Sequence, residues 1–316
     1  MKPKSLLTLA EFDPDEMGYI LSLSLKLKGA RGRSKERLLR GKTIALLFEK
    51  PSTRTRVSFQ VATSELGGSS ISLGSNEIQL GRGETIEDTA RVLSRYVHAI
   101  MARVNEHSEV ERLAASSTVP VINGLSDLYH PVQILADLLT LRERKGSLKG
   151  LKVAWVGDGN NVCNSWLIGA ATTGIGFSAA TPPGYPPNKK AVSVAKSIAR
   201  GTGASLTLVE DPKEAVEGAD CVITDTFVSM GFDKEREERV RAFLPRYCVD
   251  RHLMALAKRG AIFQHCLPAH RGEEVTDEVI DGPNSAVWDE AENRLHTTKA
   301  LLCYLMLGRT ELRRLP

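Results

Sequence analysis

Residues 43–66 constrain the fold most strongly. Thr43 to Phe48 is an apolar run of strand length, and Val57, Val61, Ala62 and Leu66 return at spacings that place them on one helical face. Between them lies Glu49-Lys50-Pro51-Ser52-Thr53-Arg54-Thr55-Arg56. Pro51 holds Lys50 extended, so a strand ends and a helix begins within a few residues. The first amides of a helix lack intrahelical partners and lie at the positive end of its dipole, which favours anions. Arg54 can add a bidentate clamp on phosphate oxygens. The same residues also fit an ordinary serine cap followed by solvated arginines. No G-x-x-x-x-G-K-[ST] loop occurs in the chain, so the pattern points to a small phosphorylated metabolite and not to nucleotide hydrolysis.

The alternation continues on both sides of this junction. Asp13-Pro14-Asp15-Glu16 opens a helix with a cap, a proline in the first turn and a capping box, and Met17, Ile20, Leu21 and Leu25 share one of its faces. Strands are expected near 69–73, 98–103 and 119–122, with helices over 85–96, 106–115 and 131–142. Arg142 to Gly150 reads as a linker. The pattern restarts with a strand at 152–156, then a helix at 162–173. Strands follow at 206–209, 221–224, 261–264 and 285–288, with helices at 212–217 and 233–244. A last amphipathic helix spans about 289–307. Thr181-Pro182-Pro183-Gly184-Tyr185-Pro186-Pro187 reads as a surface loop. Strands alternating with helices imply α/β architecture: two doubly wound parallel-sheet domains with a cleft between them. A chain of 316 residues is long enough for both.

Composition narrows the chemistry. A net charge of +4 is too small to imply nucleic acid, and no basic run with interleaved aromatics appears. No stretch approaches the ~18 apolar residues of a membrane span, and the N-terminus has no signal-peptide pattern. The five cysteines are scattered, without a C-x-x-C pair, as expected of free thiols in a reducing cytoplasm. No metal site is expected.

Four further groups sit where strands give way to helices. His130-Pro131-Val132-Gln133 has proline at the first helical position. His130 can donate to a carbonyl oxygen and Gln133 can accept from an amide, though both also fit a cap on a solvent-facing turn. Gly157-Asp158-Gly159-Asn160-Asn161-Val162 follows a strand, but valine occupies the third glycine position of a dinucleotide fingerprint. Its asparagines suit either an amino-acid carboxylate or an Asx turn. Asp225 follows the strand Cys221–Thr224, where open α/β sheets bind ligands. It can pair with an ammonium group or cap a helix. Cys266, in His265-Cys266-Leu267-Pro268, is either a reactive thiol or a small buried hydrophobe. Arg294 follows Asp289-Glu290-Ala291-Glu292-Asn293 and taken alone reads as a surface ion pair.

These motifs occur together and in order. Ser52-Thr53-Arg54-Thr55-Arg56, Arg103 and His130-Pro131-x-Gln133 resemble the carbamoyltransferase family. Gly157-Asp158-Gly159-Asn160-Asn161, Asp225-x-x-x-Ser229-Met230-Gly231 and His265-Cys266-Leu267-Pro268 resemble its ornithine-using branch. The resemblance runs from about Leu7 to Leu307. It implies transfer of the carbamoyl group of carbamoyl phosphate to the δ-amine of L-ornithine, a step of arginine metabolism, with no cofactor. Residues 1–142 would bind carbamoyl phosphate, with a C-terminal helix at 289–316 packing back on them, and residues 150–288 would bind ornithine. Ser52, Thr53, Arg54 and Thr55 would hold the phosphate. Arg103 would bridge phosphate and carbonyl, and His130 would contact the carbonyl. Gln133, the Leu267 carbonyl, Cys266 and Arg294 would surround the carbamoyl group. Asn161, Asp225, Ser229 and Met230 would hold ornithine. Arg103, His130, Asp225 and Cys266 would be catalytic. Gln79 would reach the phosphate of a neighbouring subunit in a homotrimer. Gln60 and Phe227 depart from the family's usual glutamate and tryptophan. A different acceptor such as putrescine, a catalytically silent paralogue and a nicotinamide-dependent dehydrogenase are the alternatives.

Overall fold

A computed structural model describes residues 4–33, 37–74, 83–228 and 233–308. Gln79, Ser229 and Met230 lie outside the described residues. The chain divides into two compact units, Met1–Leu139 with Asn293–Pro316, and Thr140–Glu292. Among the described residues no helix is long and apolar enough to cross a membrane.

In the first unit α1 (Pro14–Gly29) precedes β1 (Thr43–Phe48), α2 (Thr53–Glu65), β2 (Ser69–Gly74), α3 (Ile86–Tyr96), β3 (Ala99–Arg103), α4 (His107–Ser116) and β4 (Val121–Leu125). α5 (Pro131–Lys145) then carries the chain into the second unit. The four strands form a parallel sheet in the order β2-β1-β3-β4. A buried cluster including Ala45, Leu47, Ile100, Ala102, Val110 and Val121 packs strands against helices. Asp13 caps α1 as its sequence implies, accepting from the Glu16 N–H at 2.8 Å. Leu25 is only partly buried, and Leu23 and Leu27 take the core positions beside Met17, Ile20 and Leu21.

Two local expectations change in this unit. Val57 is exposed, and the buried face of α2 carries Thr55, Ser58, Phe59, Ala62 and Thr63. Phe59 is the largest apolar side chain of the helix and turns that face inward. β4 also runs on to Leu125, past its expected end at 122 and into Gly124-Leu125-Ser126-Asp127, which reads as a turn. Pairing with β3 and with the N-terminal segment overrides that signal. Leu6 donates to the Val121 carbonyl at 2.9 Å and accepts from Asn123 N–H at 2.7 Å, covering the edge of the strand.

The second unit is built from β5 (Lys152–Val156), α6 (Asn161–Thr173), β6 (Gly176–Ala180), α7 (Lys189–Thr202), β7 (Leu206–Val209), α8 (Pro212–Val216), β8 (Cys221–Thr224), α9 (Arg236–Phe243), α10 (Arg251–Met254), β9 (Ile262–His265) and α11 (Asp277–Ile280). α12 (Val287–Met306) starts here and returns to the first unit. There Lys28 Nζ donates to Asn293 Oδ1 at 2.9 Å, Lys299 pairs with Glu65, and the Tyr304 hydroxyl bonds Glu16. The parallel sheet has the order β7-β6-β5-β8-β9. Its core includes Val156, Val222, Phe227, Phe243 and Phe263.

Sequence periodicity missed β6 and α7. Gly176-Phe-Ser-Ala-Ala has little strand preference of its own, and pairing on both sides, with β5 and β7, makes it a strand. The expected strand at 285–288 is a single bridge from Ser285 to Phe263, because α12 already begins at Val287. The 181–187 loop is a loop, but not wholly a surface one. Thr181, Pro182 and Pro187 are buried, and Tyr185 packs on Phe243 with ring centroids 4.9 Å apart.

Both sheets reverse their winding at one place, between β1 and β3 in the first and between β5 and β8 in the second. Ligands of open α/β sheets bind beyond the carboxyl ends of the strands at such a switch point. Those ends carry Ser52–Arg56 and Arg103 in the first unit, and Gly157–Asn161 and Asp225 in the second.

Candidate active site

The first half-site starts at the end of β1. Ser52 is extended and caps α2, its Oγ accepting from the Thr55 N–H at 3.3 Å. Arg56 lays its guanidinium over the Phe48 ring, 4.6 Å from the centroid. That contact ties Arg56 to the strand, while Arg54 stands in the first turn of α2. Arg103 ends β3 and is buried, although it is charged. The β3–β4 register shifts between Ala102 and Arg103, an irregularity of the kind that re-aims a side chain.

His130, immediately before α5, and Gln133, in its first turn, are both buried. The solvent-facing turn they also suggested is therefore not what forms. Gln133 Nε2 donates to the buried Asp137 at 2.8 Å, and its Oε1 accepts from Arg294 Nη1 at 2.5 Å. Arg294 Nη2 donates to Thr55 Oγ1 at 3.2 Å. Arg294 is buried, not a surface ion pair. One chain of hydrogen bonds, Asp137–Gln133–Arg294–Thr55, thus joins α5, α12 and α2 within the first unit. It also fixes which end of the Gln133 amide donates. Asp137 escaped sequence reasoning, although it lies four residues beyond Gln133 on the same helical face.

Burial and the surrounding positive charge decide the protonation of His130. Burial, then the positive charges of Arg294, Arg103 and Arg54, push its imidazole well below the usual histidine range. At neutral pH it is an uncharged ring with one N–H to donate. An unfolded chain would protonate the same histidine near pH 6.5. Below that pH the unfolded state binds the extra proton and the native state does not, so this group lowers stability as pH falls. Replacing His130 with asparagine should flatten the fall in Tm between pH 6.5 and 5 relative to the parent. Calorimetry across that range checks this, and parallel slopes in the two proteins would contradict it.

The second half-site gathers around Asp225, which is buried at the end of β8. Its Oδ2 accepts from Asn160 Nδ2 at 2.8 Å, and its Oδ1 accepts from the Cys266 thiol at 3.1 Å. Asn160 also caps α6, its Oδ1 accepting from Val162 and Cys163 N–H at 2.9 and 3.1 Å. The Asx cap therefore belongs to Asn160, and Asn161 follows in the first helical turn. Gly159 is there for packing, because a Cβ would come within 2.3 Å of the Pro186–Pro187 backbone. Phe227 is fully buried and stacks on Phe243 at 4.6 Å. Arg239 donates to Asp158 at 2.8 Å and to the Phe227 carbonyl at 3.2 Å.

Leu267 follows with φ +58°, a left-handed conformation that leucine seldom adopts. Its N–H donates to His265 Nδ1 at 2.9 Å. Asp225, His265 and Cys266 bring potential metal-ligand atoms within 4.8 Å of one another. Their atoms are already engaged: His265 Nδ1 with Leu267, and both Asp225 oxygens with Asn160 and Cys266.

Comparison with known proteins finds one family along both parts of the chain. The description "Aspartate/ornithine carbamoyltransferase, carbamoyl-P binding domain" matches residues 4–143, and "Aspartate/ornithine carbamoyltransferase, Asp/Orn binding domain" matches residues 149–305. The chain belongs to the aspartate/ornithine carbamoyltransferase family. It is 53% identical over 309 residues to the ornithine carbamoyltransferase of Pyrococcus horikoshii, covering 98% of this chain and 97% of that one. It is 56% identical over 306 residues to that of Cenarchaeum symbiosum, covering 96% and 99%. The solved ornithine carbamoyltransferase from Pyrococcus furiosus superposes with a TM-score of 0.93 at 52% identity, covering 97% of this chain and 98% of that one.

Proposed function

We propose that this carbamoyltransferase moves the carbamoyl group of carbamoyl phosphate to the δ-amine of L-ornithine, giving L-citrulline and phosphate. The observation that carries the reading is the pairing of two unlike half-sites in one family member. One gathers buried guanidinium, imidazole and amide groups suited to a phosphate and a carbonyl. The other presents a buried carboxylate beside a thiol, suited to an ammonium group. Residues 1–142, together with the C-terminal segment 289–316, bind carbamoyl phosphate. Residues 150–288 bind ornithine.

Ser52, Thr53, Arg54 and Thr55 take the phosphate at the start of α2. Arg103 bridges phosphate and carbonyl oxygen. His130, held neutral, donates its N–H to that oxygen. Gln133, the Leu267 carbonyl and Arg294 orient the carbamoyl group. Asn161, Asp225, Ser229 and Met230 hold ornithine. The substrate amine has a pKa of about 10 and must be deprotonated before it attacks. Its nitrogen then bonds the carbamoyl carbon, the bond from that carbon to the phosphate oxygen breaks, and the amine proton passes to the departing phosphate. Arg54, Arg103 and His130 stabilise the negative charge that develops on the carbonyl oxygen and the leaving group, the electrostatic effect that usually dominates. Cys266, bonded to Asp225, lies beside the amine. The test is product identity. Carbon label from carbamoyl phosphate should appear in citrulline, with an equal amount of phosphate released. Phosphate released without citrulline would contradict the transfer.

We also propose a homotrimer in which Gln79 completes the phosphate site of a neighbouring subunit. Co-refolding inactive Gln79→Glu and Arg54→Ala chains should restore roughly a quarter of the activity, because each interface joins one donor and one acceptor face. Verified mixed trimers as inactive as their parents would confine the site to one chain.

A further inference from the structure

Among the described residues of the second unit, two carboxylates are fully buried, and the proposed chemistry uses neither. A buried carboxylate is costly unless it is hydrogen-bonded or paired. Glu290, in the first turn of α12, accepts from the backbone N–H of His265 at 2.9 Å. Glu274 does more. Its Oε1 accepts from the His270 N–H at 2.6 Å and faces His265 Nε2 at 3.2 Å. Because His265 Nδ1 accepts the Leu267 N–H, the imidazole proton is assigned to Nε2, which donates to Glu274. Glu274 therefore bonds both ends of the turn from His265 to His270. At the middle of that turn stands left-handed Leu267. A non-glycine residue there costs about 1–3 kcal/mol and persists only where its surroundings fix it.

From this geometry we infer that Glu274 is a positioning residue for carbamoyl transfer: through His265 it holds the Leu267 carbonyl and the Cys266 thiol in place. The inference rests on the function proposed above. A carboxylate that orients an imidazole, which in turn orients a reacting group, follows the logic of outer partners in metal and catalytic sites. Glu274 is not among the groups proposed to hold the substrates, so its effect should fall on turnover.

The test compares Glu274→Leu, Glu274→Asp and Glu274→Gln with the parent, with active sites counted by titration with a bisubstrate phosphonate. Glu274→Leu removes the acceptor, and Glu274→Asp is too short to reach both donors. Each should lower kcat per titrated site by ~10²-fold, as a misplacement near 1 Å does. KM for both substrates should stay within about threefold, since ground-state contacts remain. Glu274→Gln keeps an acceptor oxygen and should recover most of the loss. Nitrogen-15 NMR of the imidazoles should show a proton fixed on His265 Nε2 in the parent and in Glu274→Gln, but not in Glu274→Leu or Glu274→Asp. If Glu274→Leu does not fold, Glu274→Asp carries the comparison. Lower Tm with unchanged kcat per site would overturn the inference, as would an unchanged His265 signal. Absence of citrulline with the parent would instead overturn the proposed reaction, while the NMR comparison still judges the positioning.

Discussion

Arg54→Lys should lower kcat/KM for carbamoyl phosphate at least ~10²-fold, although it keeps the charge. Arg54 stands in the first turn of α2, directly after the Ser52 cap. A guanidinium there can meet two phosphate oxygens at once, while an ammonium offers a single point of charge. The loss should deepen as the transition state gathers charge on the leaving phosphate, so kcat should fall along with affinity. Arg56→Lys is the control, because Arg56 is stacked on Phe48, and it should change kcat/KM much less. Steady-state kinetics on both variants decide the matter. Near-normal kinetics for Arg54→Lys would place the phosphate elsewhere.

Asp225→Asn should separate the two substrates. The carboxylate is buried and both its oxygens already accept hydrogen bonds, from Asn160 and from the Cys266 thiol. An asparagine amide sets an N–H₂ group against one of those donors and removes the charge that an ammonium group needs. Truncating one partner of a buried charge pair costs about 2–5 kcal/mol, so kcat/KM for ornithine should fall about 30-fold or more. Affinity for phosphonoacetamide, a stable mimic of carbamoyl phosphate, should stay within about threefold by calorimetry, since additivity holds for separate contacts. Equal loss on both substrates would make Asp225 a structural residue.

Backbone chemistry made much of this legible in the sequence. Asp13 and Ser52 cap helices because their short oxygens reach amides three residues on, and both caps form. The strand-end positions of Arg103 and Asp225 follow from apolar runs that stop at a polar residue. Burial of charge was not legible. Arg294 follows a run of acids and reads as a surface group, yet it lies inside because Gln133 and Thr55, far away in sequence, supply acceptors. Asn160 and Asn161 are indistinguishable by composition, and only the start of α6 decides which of them caps. Periodicity counts apolar residues equally and so puts Val57 on the buried face of α2, whereas packing buries Phe59 and leaves Val57 exposed. Nothing local marks Glu274, whose partners His265 and His270 meet it through a turn.

The choice of acceptor amine is the most direct test of the proposed function. Citrulline formation, or its counterpart for each amine, should be measured with carbamoyl phosphate and L-ornithine, putrescine or L-aspartate. kcat/KM for L-ornithine should exceed that for either alternative by at least ~10³-fold, because a site built around particular polar groups rejects a ligand that leaves them unmatched. Equal or better use of putrescine or aspartate, or no carbamoyl transfer to any of the three, would contradict it.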